Sequence, residues 1–244
     1  MLPHCFEPCD RKRSAMIHSA ESTRSMKPKK LGLVHTSATL VPVFQELCKA
    51  QLPNVDVFNI ADDSLIKDVI TAGKLSDSVS SRVASHVALA EAAGADFIMV
   101  TCSSIGPAVE AAATSARVPV LRVDQPMADE AVRIGKRIGV IATLSTTLEP
   151  TADLIRRRAE ALGKPIQLTA RLCEGAFVVL MSGDAAQQDE MVGQALDELA
   201  DEVDVIVLAQ ASMARVVSRL PADSSRPPIL SSPALAVQYL TTVL

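Results

Sequence analysis

The chain from residue 31 onward contains the same order of segments twice, and this repeat limits the fold more than any other feature. Residues 31–36 (LGLVHT) align with residues 138–143 (IGVIAT) at an offset of 107. Three further pairs follow in the same order at offsets of 108, 108 and 109, namely 39–42 with 147–150, 96–102 with 204–210, and 117–121 with 226–230. Single apolar matches arise by chance, but four in one order at a nearly constant offset indicate an internal duplication.

Both copies alternate short apolar segments with Ala-rich ones, which predicts βα units and mostly parallel sheets. The predicted strands are 31–35, 54–60, 96–101, 118–122, 137–142, 166–171, 204–208 and 228–230. The predicted helices are 41–51, 77–93, 105–116, 126–135, 147–162, 184–201, 212–219 and 233–243. We therefore expect an α/β fold of two similar parallel-sheet lobes, with the active site in the cleft between them.

The first thirty residues differ from the rest. They contain seven basic and three acidic side chains, a net charge of +4, whereas the whole chain carries −4. No apolar stretch of the secretory-signal type is present, and we expect residues 1–30 to form a disordered extension. Met26 is an alternative start, which leaves open whether residues 1–25 belong to the native product. No metal site is predicted, because no common zinc spacing fits His4, Cys5, Cys9 and His18.

The composition argues against several classes of function. The chain is 48% hydrophobic, 2% aromatic and acidic, so it lacks the basic surface and stacking side chains typical of nucleic-acid binding. No apolar run approaches the roughly 18 to 20 residues that span a membrane. Five scattered cysteines, an odd number, favour a reducing, cytoplasmic location. A nucleotide site is not expected, since residues 35–39 after the first strand contain no glycine. The oligomeric state stays open, a homo-oligomer included.

Small hydroxylated loops follow the predicted strands of both copies, at the sheet edge where α/β proteins bind ligands. Backbone N–H groups and hydroxyls at helix starts suit a carboxylate, although the same side chains also serve as N-caps. We therefore predict a small carboxylate substrate. The residues expected to bind it are Ser37, Thr39, Ser103, Ser104, Thr143, Ser145, Thr146, Glu174, Ala211 and Ser212.

Cys102 is the strongest candidate for a catalytic residue. It ends an apolar strand and precedes a predicted helix, and a helix N-terminus lowers the pKa of a thiol so that the thiolate becomes a base or nucleophile. A buried structural cysteine is the alternative. Cys48 lies mid-helix among apolar residues and is predicted to belong to the core, and Cys173 is a weaker cleft candidate at a strand end.

Residues 100–104 (VTCSS), which follow a strand beginning at Asp96, and the 142–146 loop (ATLST) resemble the aspartate/glutamate and hydantoin racemase superfamily. The resemblance covers roughly residues 31–244. It implies an enzyme without a cofactor, in which two cysteines across the cleft transfer protons on opposite faces of the Cα of a carboxylate. It also implies that the C-terminal segment packs on the first lobe. The expected lobes are thus 31–124 with 228–244, and 125–227.

Gln210 stands where the duplicate alignment places the family's second cysteine. A glutamine amide forms hydrogen bonds but does not accept a proton near neutral pH. The resemblance implies an amino-acid racemase or epimerase that needs no PLP, with Cys102 as thiolate and Gln210 holding a substrate carboxylate or enolate oxygen. Alternatives are a single-cysteine enzyme similar to maleate isomerases or arylmalonate decarboxylases, or a non-catalytic small-molecule binding protein. A second base from Cys173 or Glu174 would restore two-base chemistry.

Acidic residues at the ends of the two second strands bear on the substrate. Asp62 and Asp63 in the first copy and Glu174 in the second would repel a second substrate carboxylate, which favours a neutral, hydroxylated or cationic tail. The alternative is that these carboxylates begin helices. His35 is predicted to pack in the cleft wall, with an acid–base role as the alternative, and His86 is predicted to be a solvated helix residue.

Overall fold

The computed structural model describes residues 28–217 and 226–244, which form two four-stranded parallel sheets. The first sheet has the order β2-β1-β3-β4 and contains β1 (Lys30–His35), β2 (Asp56–Ala61), β3 (Phe97–Val100) and β4 (Val120–Arg122). The second has the order β6-β5-β7-β8 and contains β5 (Arg137–Ala142), β6 (Gln167–Leu172), β7 (Val205–Leu208) and β8 (Ile229–Ser231). The predicted α/β fold of two duplicated lobes is confirmed.

The helices of the described residues repeat in the same order. The first copy contains α1 (Leu40–Gln51), α2 (Asp63–Ala72), α3 (Asp77–Ala92), α4 (Gly106–Ala113) and α5 (Gln125–Ile134). The second contains α6 (Ser145–Ala161), α7 (Ala176–Met181), α8 (Ala185–Ala200), α9 (Ala214–Val217) and α10 (Ser232–Leu240). Short 3-10 turns precede α4 and α9, at Ser103–Ile105 and Ala211–Met213. Residues 218 and 219 of the predicted helix 212–219 lie outside the described residues.

An aspartate at the start of the third strand of each copy ties that strand to the first. Asp96 accepts a hydrogen bond from the backbone N–H of Lys30 at 2.8 Å. Asp204 accepts hydrogen bonds from the backbone N–H groups of Lys136 and Arg137 at 3.0 and 2.9 Å. Asp96 and Asp204, which the sequence alignment pairs, therefore accept hydrogen bonds from equivalent backbone N–H groups at the start of the first strand of each sheet.

The last helix of each copy packs on the other lobe. α5 contributes Met127 and Val132 to the core around β5 and β7, whereas α10 contributes Val237 and Leu240 to the core around β1 and β3. The expected first-lobe segment 228–244 is thus divided. β8 forms its backbone hydrogen bonds with β7 in the second sheet, and the chain joins the first lobe only from the start of α10.

A buried arginine connects the end of the first sheet to the second lobe. Arg122 donates to both carboxylate oxygens of Asp124 at 2.8 Å and to Glu110 at 2.6 Å. Its Nη2 also lies 3.4 Å from the carbonyl oxygen of Pro150 in α6. Glycine is required at position 106 in α4, because a Cβ there would lie 2.3 Å from the guanidinium of Arg122. Arg122 therefore contacts the second lobe through a backbone carbonyl, while its buried ion pairs hold the guanidinium in place from the first lobe.

The ordered fold begins earlier in the chain than expected. Lys30 is the first residue of β1, so the ordered fold includes the end of the predicted extension 1–30. Residues 1–27, with the four potential metal ligands named above, lie outside the described residues. Across residues 28–217 and 226–244, no helix combines the length and apolar character of a membrane span. The same residues contain no cluster of three or more His, Cys, Asp or Glu side chains arranged to hold a metal.

Candidate active site

A cavity of about 710 Å³ lies between the lobes, where the carboxyl ends of both sets of strands meet. Parallel α/β sheets bind ligands at this edge because the backbone N–H groups of the following turns point towards it. Eight of the residues predicted to act in the site line this cavity, namely Cys102, Gln210, Ser37, Thr39, Ser103, Ser104, Ala211 and Ser212. The duplication therefore brings loops more than one hundred residues apart into one site.

Cys102 lies at the floor of the cavity, immediately before the 3-10 turn that leads into α4. Burial raises the pKa of the Cys102 thiol, and hydrogen bonds from the Thr36 hydroxyl and the backbone N–H groups of Ser104 and Ile105 oppose this rise without cancelling it. The lowered pKa expected from the helix N-terminus is therefore wrong. The turn does supply donors to the sulfur, but desolvation outweighs them and favours the neutral thiol.

Alkylation of Cys102 should accordingly be slow at pH 7 and accelerate as the pH rises beyond the range of an ordinary cysteine, because only the thiolate reacts. The measurement is the rate at which iodoacetamide adds to the peptide containing Cys102, followed by mass spectrometry from pH 6 to pH 10. A Cys102→Ser variant defines the background from the buried Cys48 and Cys173. Rapid modification below pH 7 would contradict the raised pKa.

Gln210 occupies the position in the second lobe that Cys102 occupies in the first. Both residues have extended backbone and directly precede a 3-10 turn. The side-chain Oε1 of Gln210 accepts hydrogen bonds from the backbone N–H of Thr143 at 2.5 Å and from its hydroxyl at 2.9 Å. A backbone N–H only donates, so these contacts define which end of the amide is oxygen. The Nε2 of Gln210 is then the end left to donate to a ligand.

Hydroxyl groups from both lobes surround the thiol. Ser104 and Thr147 form a buried hydrogen bond of 2.6 Å between the lobes. Ser37 and Thr39 hydrogen-bond with each other at 2.8 Å on the first-lobe side of the cavity. Ser232, the first residue of α10, also lines the cavity and is 1% exposed, and its Oγ has no hydrogen-bond partner among residues 28–217 and 226–244. A buried hydroxyl without a partner is costly, and a ligand oxygen would supply one.

Several predicted site residues lie outside the cavity lining. Thr143 is buried and donates two hydrogen bonds to Gln210, while Ser145 and Thr146 are absent from the lining, which contains Leu144 and Thr147. Glu174, which was also predicted to bind the substrate, is exposed and absent from the lining. Cys173 is also absent, because it packs in the second-lobe core, where burial raises its pKa to about 11. Neither Cys173 nor Glu174 is placed to act as a second base.

The acidic residues after β2 do not present two free charges to the cavity. Asp62 caps α2 and pairs with Arg82 at 2.6 Å and with His86 at 2.9 Å. Partial burial opposes ionisation of Asp62, but hydrogen bonds from Ser64, His86 and Arg82 hold its pKa well below the usual range. His86 is thus a partner of Asp62 rather than a solvated residue. Asp63 does line the cavity, where it accepts a hydrogen bond from Ala38 N at 2.7 Å.

His35 lies beneath the cavity and does not line it. Its Nδ1 is 2.8 Å from the hydroxyl of Thr101 and its Nε2 is 2.9 Å from Oδ1 of Asn59. Burial lowers the pKa of His35, and the hydrogen bond with Asn59 opposes this in part. The imidazole is fully buried against the ring of Phe44, which matches the packing interpretation rather than an acid–base role.

The sequence predictions missed the two helices that form the outer walls of the cavity. α2 contributes Ile66, Lys67 and Ile70, and α7 contributes Phe177 and Leu180. Asp62 followed by Ser64 is a capping signal that could have revealed α2, since Asp62 accepts a hydrogen bond from the backbone N–H of Ser64. α7 has only six residues between Gly175 and Ser182, so its pattern is too short to separate from a strand.

The site is thus formed by two duplicated α/β lobes that exchange their last helices around one shared cavity. The sequence profile of the Asp/Glu/hydantoin racemase family matches residues 31–240, and the chain belongs to this family. No curated protein sequence matches the chain significantly.

Solved structures show the same fold. Glutamate racemase isoform RacE1 from Bacillus anthracis superposes with a TM-score of 0.71 at 22% identity, over 90% of this chain and 82% of that one. Aspartate racemase from Picrophilus torridus has a TM-score of 0.67 at 13% identity, over 88% of this chain and 94% of that one. A variant of arylmalonate decarboxylase has a TM-score of 0.56 at 17% identity, over 88% of this chain and 92% of that one.

Proposed function

We propose that this protein is a cofactor-independent isomerase that transfers a proton at the carbon next to a substrate carboxylate, with Cys102 as the proton-transfer group. The observation that carries the proposal is the position of this thiol, at the floor of a cavity between the lobes, with backbone N–H groups of Ser104 and Ile105 directed at the sulfur. Those donors stabilise the thiolate that proton abstraction requires. A reduced thiol is consistent with the cytoplasmic location that the cysteine pattern favours.

The donors around Cys102 would hold the substrate carboxylate. Gln210 has its amide oxygen engaged by Thr143, so its Nε2 donates to a carboxylate or enolate oxygen. Ser232 offers a buried hydroxyl that lacks a partner within the described part of the chain. Negative charge moves onto the carboxylate oxygens as the α-proton leaves, and preorganised donors stabilise that charge. The proposed chemistry therefore uses side chains from both lobes.

The thiol of Cys102 reaches one face of the substrate, so isomerisation also requires water to deliver a proton to the opposite face. The Cys102 thiolate takes the α-proton, the bonding electrons move into the carboxylate as an enediolate, and the same sulfur returns a proton. Gln210 cannot supply a proton to the opposite face. In deuterated water, we therefore expect deuterium to enter at the α-carbon faster than the enantiomers interconvert.

The experiment is incubation in deuterated water with amino acids, hydroxy acids, hydantoins and dicarboxylates, followed by NMR for exchange and chiral chromatography for racemisation. Exchange that depends on Cys102 supports the proposal. Exchange that survives removal of the thiol would refute it.

Decarboxylation is the second candidate, and the raised pKa of Cys102 favours it. In that reaction a substrate with two carboxylates on one carbon loses one of them as carbon dioxide, and the bonding electrons move into the remaining carboxylate as an enediolate. The neutral thiol delivers a proton to the α-carbon, and the thiolate that is left regains a proton from water. The two reactions have opposite pH dependences: exchange needs the thiolate and rises with pH, whereas decarboxylation needs the thiol and falls as the thiol ionises. The pH profile of a substrate that is turned over decides between them.

A second thiol should convert exchange into racemisation. Gln210→Cys places a thiol at the position equivalent to Cys102, on the opposite side of the cavity, so both faces of the α-carbon gain a proton-transfer group. We expect the ratio of racemisation to exchange to rise by at least about ten-fold, since general acid–base groups contribute about 10²- to 10⁴-fold to rates. Gln210→Ala is the matched control, because it also removes the contact with Thr143 but adds no thiol. An equal ratio in the two variants would contradict the one-thiol interpretation.

A further inference from the structure

The outer part of the cavity has a different chemistry from its floor. On α2, the residues at positions 63, 66, 67, 70 and 71 line the cavity, which is the spacing of one helix face. On α7, the residues at positions 177, 180 and 181 do the same from the opposite lobe. The two facing surfaces are thus formed by equivalent helices of the duplicated lobes. The apolar side chains among them are Ile66, Ile70, Phe177, Leu180 and Met181.

These apolar side chains are not used to build the protein core. α2 buries Leu65 and Val69 on its other face, and α7 buries only Ala176. None of the five cavity-facing side chains belongs to a hydrophobic cluster of the described residues. Packing of the core therefore does not explain why these side chains are apolar, whereas contact with a bound ligand would explain it.

The volume and charge of the cavity agree with a bulky ligand. A volume of about 710 Å³ falls in the range of roughly 300 to 1,000 Å³ typical of sites for drug-sized ligands. Among the described residues that line the cavity, Lys67 carries the only positive charge and Asp63 the only negative one. A short dicarboxylate would leave the apolar walls uncovered and would place its second charge beside them, which is unfavourable.

We infer that the substrate is a carboxylate with a large apolar substituent, an aryl or branched alkyl group, which lies between α2 and α7 while the carboxylate binds at the floor. This inference rests on the proposed function, since it places the α-carbon beside Cys102. It narrows the expectation of a neutral, hydroxylated or cationic tail to a neutral, apolar one. The charged alternative depended on free carboxylates at Asp62, Asp63 and Glu174, but Asp62 is paired with Arg82 and His86, and Glu174 does not line the cavity.

The test compares matched ligands that differ only in the substituent, namely 2-phenylpropanoate with propanoate and phenylglycine with alanine. Calorimetry should give at least about ten-fold tighter binding for the phenyl member of each pair, because burial of apolar surface dominates the difference. Leu180→Ser should reduce that preference about five-fold or more without weakening the small ligands. Val178→Ser is the matched control on the same helix, since Val178 is 70% exposed and does not line the cavity.

Deuterium exchange on the same four ligands separates failure of the inference from failure of the proposed function. Equal affinity within each pair, or an unchanged preference in Leu180→Ser, overturns the inference, and Cys102-dependent exchange with alanine would still support the proposed function. A phenyl preference that Leu180→Ser removes supports the inference. If exchange with phenylglycine then persists in Cys102→Ser, the proposed function fails while the binding result stands.

Discussion

Replacement of Cys102 by Ala should reduce turnover by about 10²- to 10⁴-fold, the contribution typical of a positioned acid–base group. The loss should appear in kcat, because the thiol acts on the α-proton, whereas the donors that hold the carboxylate are unchanged. The measurement is the rate of deuterium entry at the α-carbon under saturating substrate. Circular dichroism and thermal unfolding establish that the variant is folded.

Cys173→Ala is the matched control for this experiment. Cys173 follows the second-lobe strand β6 as Cys102 follows the first-lobe strand β3, but Cys173 is buried in the core and does not line the cavity. Its replacement should lower stability modestly, as small cavities in cores do, and should leave turnover unchanged. Full activity in Cys102→Ala, or equal losses in the two variants, would show that the thiol at the cavity floor is not the reacting group.

Replacement of Arg122 by Met should lower the free energy of unfolding by about 3 to 5 kcal/mol, which is the largest effect on stability that we expect from a single substitution. The side chains of Arg122 and Asp124 are 1% and 0% exposed. Without the guanidinium, the Asp124 carboxylate stays buried and loses both hydrogen bonds of 2.8 Å. The cost is the desolvation of an uncompensated charge rather than the strength of the ion pair itself.

Urea unfolding measures this loss, and two further variants define its origin. Arg122→Met with Asp124→Leu should recover much of the lost stability, because no buried charge remains. Arg133→Met removes an exposed arginine that pairs with Glu130 at 2.6 Å, and it should leave the unfolding midpoint nearly unchanged. Equal effects of Arg122→Met and Arg133→Met would contradict the importance of burial.

The strands and the larger helices were predictable because their patterns are local. All eight predicted strands occur in the structure within two residues at each end, since buried parallel strands consist of continuous apolar runs bounded by polar residues. α2 and α7 were not predicted. In α2 the apolar residues at positions 65, 66, 69 and 70 have helical spacing, so the signal was present in the sequence, whereas α7 has only six residues, too few to separate a helix from a strand.

The lobe boundary also needed the structure. The sequence placed residues from 228 onward with the first lobe, but β8 pairs with β7, and the exchange begins at Ser232. This crossover from β8 to α10 also places Ser232 in the cavity, because Ser232 is the residue at which the chain passes from one lobe to the other. A lone serine at a helix start carries no signal in a sequence that would separate this role from an N-cap.

The sequence by itself determined the duplication, the two parallel-sheet lobes and the pairing of Cys102 with Gln210, because aligned repeats report equivalent positions without reference to coordinates. Only the tertiary structure decided the state of the thiol, the burial of Cys173, the pairing of Asp62 with Arg82 and His86, and the apolar walls of the cavity. Each of these depends on desolvation or contact between residues far apart in the chain. Such effects follow from how the two lobes pack, and local patterns do not encode that packing.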